Sequence, residues 1–282
     1  MNLKNAALVL FLVPSLAFAA GCKKDQEETD DVGGGTSEDV SSDEQALVAD
    51  GNEIQASSSM ASDLSAIPTI ALSAGGAVSA DVAAEKQADA ATFFRPAGCL
   101  TVSQEANVVT YTFAGCTGPW GLVELNGQEV ATFSPGEAEG SIAVALASKD
   151  LTANGHAVDH HADVVVTFPG GDRQVSWKGG FTSETDKGVP VAHTSDLVWV
   201  VDAEGCRTTN GTTTGSVGDR GVTATYEELT RCGGWATCPA GSISLESDQG
   251  LTSSIDFDGT AQAVVTGPRG REWDVPLLCT PM

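Results

Sequence analysis

From Cys99 onward, apolar and polar residues alternate with a period of two, and this constrains the fold more than any other feature of the chain. Residues 107–113, 121–124, 129–133, 141–146, 163–168 and 173–177 read as strands. So do 196–201, 221–226, 241–246, 251–257, 261–266 and 272–277. Thr and Val dominate them, as a pleated, half-buried surface prefers. The dipeptides Asn126-Gly127, Asn154-Gly155, Asn210-Gly211 and Asp258-Gly259 carry residues suited to the positive φ of a type I′ hairpin, and each is expected to be a turn. No helical segment of useful length falls between the strands. Roughly a dozen strands joined by tight turns predict an all-β domain, an antiparallel meander forming a sandwich or a curved open barrel.

Residues 43–98 have a different character. Ser41-Ser42-Asp43-Glu44 is a capping-box pattern followed by helix formers at Gln45 to Val48. A second helix is expected from Asp81 to Phe93, with Ser79 as its N-cap and Pro96 and Gly98 as its stop. Ile67-Pro68-Thr69-Ile70 and Gly75-Gly76 between them read as loop. One or two short helices thus precede the β region. Further upstream, residues 25–53 carry eleven acids and no Lys or Arg. Such self-repelling charge, with few apolar side chains to bury, predicts a disordered tether over residues 22–42.

The first 21 residues complete the division of the chain. Lys4 supplies a positive start, and residues 6–20 form an apolar run too short to cross a bilayer comfortably, so they read as a secretory signal. Their ending, Ala19-Ala20-Gly21-Cys22, resembles the lipobox of bacterial lipoproteins, with Ala19 where that family favours Leu. The resemblance implies that Cys22 is acylated and becomes the first residue of the mature chain. Lys23 stands where Asp would favour inner-membrane retention in that family, which implies outer-membrane sorting. Lys23-Lys24-Asp25-Gln26-Glu27-Glu28 also looks like the short signals that follow the Cys in some surface-exposed lipoproteins. The expected plan is therefore a signal peptide over 1–21, a lipidated tether over 22–42, a helical and loop segment over 43–98 and a single β domain over 99–282.

With Cys22 assigned to the lipid, six cysteines remain: Cys99, Cys116, Cys206, Cys232, Cys238 and Cys279. An exported chain meets an oxidising compartment, so three disulfides are expected, and no C-x2-C pair points to zinc. Cys99 and Cys116 flank one strand-turn-strand unit in which residues 100–103 run beside 107–113, and they are expected to pair. For the other four, Cys206–Cys232 with Cys238–Cys279 is favoured. Cys232–Cys238 with Cys206–Cys279 is the close alternative.

Several phrases are similar to uncharacterised β-rich lipoproteins of Gram-negative bacteria. They are Phe94-Arg95-Pro96-Ala97-Gly98-Cys99, Gly115-Cys116-Thr117-Gly118-Pro119 and Asp150-Leu151-Thr152-Ala153-Asn154-Gly155. Gly205-Cys206-Arg207-Thr208-Thr209-Asn210-Gly211, Phe257-Asp258-Gly259-Thr260 and Leu277-Leu278-Cys279 add to them. The likeness covers about residues 90–279 and implies topology and localisation, with no activity attached.

Charge narrows the partners. A net charge of -24 with only 14 Lys and Arg argues against nucleic acid and against adhesion to an anionic membrane surface, leaving the acyl chain as the membrane contact. A protein, glycan or lipid partner stays open. No cofactor motif is found, and neither G-x-S-x-G nor H-E-x-x-H occurs. The one polar constellation is His156, Asp159, His160, His161 and Asp163. On a strand, Asp159, His161 and Asp163 share one face, a weak metal-ligand set, with His156 and His160 on the other. A solvated strand face explains them better. His193, Ser195 and Asp196 have hydrolase residue types, but three near neighbours on one strand cannot converge as a triad. Asp256-Phe257-Asp258-Gly259 lacks the downstream Glu of a calcium loop and reads as a strand end. Trp120, Trp177, Trp199, Trp235 and Trp273 are scattered, as expected of core aromatics rather than a sugar platform. The expectation is a non-enzymatic binding or structural module, with a half-barrel carrier of an apolar ligand as the alternative. The concave face of the sheet separates the two: a carrier needs an apolar cavity of a few hundred Å3 there.

Overall fold

The structure, a computed structural model, describes residues 42–70, 72, 94–117, 123–232, 237–277 and 279. The leader, Cys22, the tether, the helix expected over 81–93 and the Gly75-Gly76 loop lie outside the described residues, as do Trp120 and Trp235.

A single helix, α1 (Ser42–Ile70), precedes thirteen strands among the described residues. These are β1 (Leu100–Glu105), β2 (Val108–Thr117), β3 (Glu124–Pro135), β4 (Ile142–Ala153), β5 (His156–Thr167), β6 (Arg173–Glu184) and β7 (Pro190–Val201). They continue as β8 (Arg207–Val217), β9 (Arg220–Arg231), β10 (Ala240–Ser247), β11 (Thr252–Asp258), β12 (Gln262–Thr266) and β13 (Glu272–Pro276). All lie in one sheet in sequence order, each antiparallel to the next. The expected meander is therefore present as a single open sheet, not as the two layers of a sandwich. β1 pairs with β2 in the expected register, from Leu100 opposite Phe113 to Ser103 opposite Thr110. The cysteines pair as Cys99–Cys116, Cys206–Cys232 and Cys238–Cys279, the combination favoured above.

The turn expectations divide. Asn154-Gly155 joins β4 to β5 and Asp258-Gly259 joins β11 to β12, where Thr260 donates to the Asp258 carboxylate through both its N–H and its hydroxyl. Asn126-Gly127 and Asn210-Gly211 are not turns: they lie inside β3 and β8 and form bulges, and β8 (Arg207–Val217) is a strand that the turn reading of Asn210-Gly211 obscured. Both uses need the same chemistry. Gly127 and Gly211 sit at φ 104° and 128°, and a Cβ on Gly211 would stand 2.2 Å from the Asp196 carbonyl oxygen. The Asn side chains then replace missing ladder acceptors, Asn126 Oδ1 taking the Gly115 N–H at 2.7 Å and Asn210 Oδ1 the Glu228 N–H at 2.8 Å.

α1 also departs from expectation. It runs for 29 residues, through Gly51 and through Ile67-Pro68-Thr69-Ile70, which read as loop in the sequence. Packing overrides the local signals. Leu47, Ile54, Ala61, Leu64 and Ile67 are buried against the sheet, and Pro68, which gives up the bond to the Leu64 carbonyl, comes so late that little helix follows it to be broken. The helix touches six consecutive strands, β5 to β10. Inner-face residues from β1 to β13 join α1 in one core cluster, including Leu100, Tyr111, Phe133, Trp177, Trp199, Ile255 and Val275. Because the inner faces of the outlying strands belong to the same core cluster as α1, the sheet curls around the helix, which fills its hollow.

Candidate functional site

The interface between α1 and the sheet is unusually polar for a buried surface. Asp50, Gln55, Ser57, Ser58, Ser62, Ser65 and Thr69 of α1 are all buried. Burying such groups costs free energy unless each finds a partner. Ser57 and Thr69 donate to carbonyls of α1 itself, while the sheet engages Ser58, Ser62, Ser65 and the Thr69 carbonyl from two transverse rows and Asp50 through Arg220.

The first row follows directly from strand register. Tyr111 on β2 stands opposite Glu129 on β3, and Glu129 opposite Ser148 on β4. A bulge between β4 and β5 is bridged by the Ser148 hydroxyl, which accepts the His160 N–H at 2.8 Å. Across β5 to β8 the row continues through His160, Phe181, His193 and Gly215. Phe181 and His193 stack with ring centroids 5.4 Å apart. Gly215 leaves the space that Ile54 of α1 enters, since a Cβ there would lie 2.7 Å from Ile54 Cδ1.

Three members of this interface resemble a hydrolase triad in outline. Glu129 Oε1 lies 3.0 Å from His160 Nδ1, and Ser65 Oγ lies 3.3 Å from His160 Nε2, with all three side chains fully buried. Hydrogen placement argues against a nucleophile. The Ser65 hydroxyl donates to the Ala61 carbonyl at 2.8 Å, so its hydrogen is committed, and Nε2 must be the donor to Oγ. A ring whose Nε2 carries hydrogen cannot take the proton of Ser65, as a general base would. The same assignment leaves Nδ1 to pair with the Glu129 carboxyl. The cluster therefore anchors the helix. Glu129 Oε2 has no hydrogen-bond partner among the described residues.

A second chain of contacts runs from α1 to His193. Ser58 Oγ is 3.1 Å from Thr213 Oγ1, which is 2.8 Å from Ser195 Oγ, which is 3.3 Å from His193 Nδ1. The Tyr226 phenol is within hydrogen-bonding reach of Ser58 and Thr213. Burial raises its pKa, and those two contacts partly offset the rise. Burial lowers His193 to about 4; the Ser57 backbone opposes that shift, and the neighbouring His160 reinforces it. His193 Nε2 is buried without a hydrogen-bond partner among the described residues.

The second row lies toward the C-terminal end of α1. Arg173 on β6 and Arg207 on β8 both face Val201 on β7, and Arg207 faces Arg231 on β9. Arg173 Nη1 donates to the Thr69 carbonyl at 3.3 Å, and Arg207 Nη2 to Ser62 Oγ at 2.8 Å. Arg207 also lies over Trp199, 4.3 Å from the ring centroid. Burial lowers Arg231 to about 10. Cations here complement the negative end of the helix dipole. Nearer the N-terminal end, Arg220 grips Asp50 bidentately at 2.5 and 2.6 Å. Asp50 is buried while Arg220 is largely exposed, and the hydrogen bonds to Asp50 raise the Arg220 pKa.

The residues singled out in the sequence fall on both sides of the sheet. Asp159, His161 and Asp163 alternate on the exposed outer face of β5, while His160 points inward. Among the described residues no three His, Cys, Asp or Glu side chains converge as a metal site. His193 and Ser195 face α1, whereas Asp196 is on the outer face beside Lys178 at 2.7 Å. Trp177 and Trp199 are buried side by side, with centroids 6.4 Å apart, and Trp273 is half-buried. Sequence reasoning missed Glu129, Ser65, Ser58 and Tyr226. A signal for Glu129 existed, since it stands two residues before Ala131 and four before Phe133, in the apolar phase of β3.

No family model, curated protein or solved structure matches this chain.

Proposed function

We propose that the chain is a lipid-anchored lipoprotein of the bacterial cell envelope, sorted to the outer membrane, whose β domain is a non-enzymatic binding or structural module. The observation that carries the reading is the arithmetic of the cysteines. Six of seven pair off in three disulfides within the fold, leaving Cys22, the residue that ends the lipobox-like sequence, as the remaining thiol for acylation. The outer face of the sheet supports a water-facing domain held beside a membrane, because its strand positions carry Asp159, His161, Asp163, Lys178 and Asp196. The hollow of the sheet is occupied by α1 and its own side chains, which favours a binding or structural module over a carrier with a standing apolar cavity.

The test is Cys22→Ser in the full-length precursor. The thiol is the only acyl acceptor at that position, and the acidic tether has little apolar surface to hold a bilayer. The variant should lose incorporation of labelled palmitate and leave the membrane fraction. Unchanged acylation and membrane partitioning would refute the anchor.

A further inference from the structure

We propose that α1 is an acid-released plug: protonation at the buried histidine row frees the helix from the hollow of the sheet and opens the inner faces of β5 to β10. The proposal goes beyond the envelope reading and does not depend on the anchor at Cys22.

Topology makes release possible. The contacts described above between α1 and the sheet are made by side chains, by the helix-end carbonyl of Thr69 and by the Ser57 backbone facing His193, and α1 adds no rung to the strand ladder. The helix precedes the sheet in the chain and joins it only through the segment leading to β1. It can therefore leave without breaking the meander. Among the described residues its seat combines large apolar anchors (Leu47, Ile54, Leu64 and Ile67) with three hydroxyl contacts to the sheet, from Ser58, Ser62 and Ser65. Hydroxyl contacts are readily exchanged for water, whereas apolar burial is not.

The histidines supply the trigger. The chain has four, and the two that face α1, His160 and His193, lie on one transverse row, separated only by Phe181. His160 is already paired with Glu129 at 3.0 Å, so the row has no second carboxylate to face His193. The groups facing His193 bear this out from every side. β5 presents His160, with Glu129 behind it on β3. β6 presents Phe181, and β8 presents Gly215 and Thr213. Ser195 lies beside it on β7, and Tyr226 lies beyond Thr213 on β9. α1 presents Ile54 and the Ser57 backbone. Of the acids of α1, Asp50 is engaged by Arg220, and Glu53, its pKa raised by desolvation and by Asp186, lies on the exposed side of the helix. A proton arriving on His193 would thus be a buried cation without a counter-charge, a state the undocked form avoids by hydrating the ring.

The sign follows from linkage. His193 is depressed from 6.5 to about 4 when the helix is seated, so docking is at full strength above about pH 6.5 and weakens as pH falls toward and through 4. Between about pH 7.5 and 4.5 those two values predict an increase of about 70-fold in the undocked population.

Hydrogen exchange on the full chain, corrected for intrinsic rates, tests this. The α1 amides should exchange on the order of tens of times faster near pH 4.5 than near pH 7.5 while the β5 to β9 amides stay protected. A Ser58→Cys, Thr213→Cys pair, replacing hydroxyls 3.1 Å apart, should lock the helix and abolish the acceleration. His193→Phe, which keeps a ring stacked on Phe181, should also abolish it, and His193→Gln serves the same purpose should the Phe variant not fold. Helix and sheet losing protection together at one pH, or no acceleration in α1, would overturn the plug. Acceleration that persists in the histidine variants would overturn the trigger.

Discussion

Replacing Gly51 with Ala reports whether α1 is seated where the structure puts it, because the sign of the effect depends on docking. On an undocked or solvent-facing helix, Gly→Ala in the interior stabilises by about 1 kcal/mol, since Ala loses less backbone entropy. Seated in the sheet, the new methyl would stand 2.5 Å from Leu245 Cδ1, 3.2 Å from Cδ2 and 3.4 Å from Cγ. Leu245 is only 3% exposed and has little room to yield. Overpacking of this kind costs about 1–3 kcal/mol, which cancels or exceeds the helix gain. The net expectation for Gly51→Ala is a loss of about 1 kcal/mol. Leu245→Ala alone should cost about 2–5 kcal/mol through lost burial and the cavity left behind. In that background the Gly51→Ala methyl enters vacated space, so it should stabilise by about 1 kcal/mol, giving a favourable coupling of about 2 kcal/mol. Urea denaturation of the four proteins at neutral pH measures each step of the cycle. Gly51→Ala that stabilises both backgrounds equally would refute the seating of α1 against β10.

Two further outcomes follow from charge and covalent constraint. Arg220→Ala should destabilise more than Asp50→Asn in thermal melts, by about 2 kcal/mol against about 1 kcal/mol. The first strands a buried carboxylate, whereas the second releases a guanidinium that is already largely in water. Opening Cys238–Cys279 by paired Cys→Ala replacement should cost about 4 kcal/mol against about 3 kcal/mol for Cys99–Cys116, because the closed loops span 41 and 17 residues. Non-reducing peptide mapping checks the pairing first, and a Cys99 peptide joined to anything but Cys116 would contradict the register of β1 with β2.

What the sequence made legible was local. Alternation of Val and Thr with polar residues is a direct image of a sheet with one wet face, and hairpin connections bring consecutive strands together, so the meander could be read without long-range information. The bulges were not legible, because Asn-Gly signals a need for positive φ and says nothing of whether the chain reverses there or kinks and continues. α1 was legible only at its start. Its buried side is a series of serines, with Gly51 and Pro68 in the helix, and that composition lacks the apolar stripe by which a core helix announces itself. Its burial is decided by partners 95 to 170 residues away, such as His160 for Ser65 and Arg220 for Asp50. The inner polar residues were hidden for the same reason: His160 and Glu129 stand in apolar phase, and only the arrival of the helix explains them.

The order of elements along the chain sets an order in time. Each strand of the meander has its neighbour a short connection away, so pairing between consecutive strands needs little long-range closure. α1 is the first described element to be synthesised, and it has nothing to lie on until β5 to β10 exist. Ser58 must wait 155 residues for Thr213, and Asp50 must wait 170 for Arg220. Until that seat exists a serine-rich segment is wettable, where an apolar one would expose a sticky face.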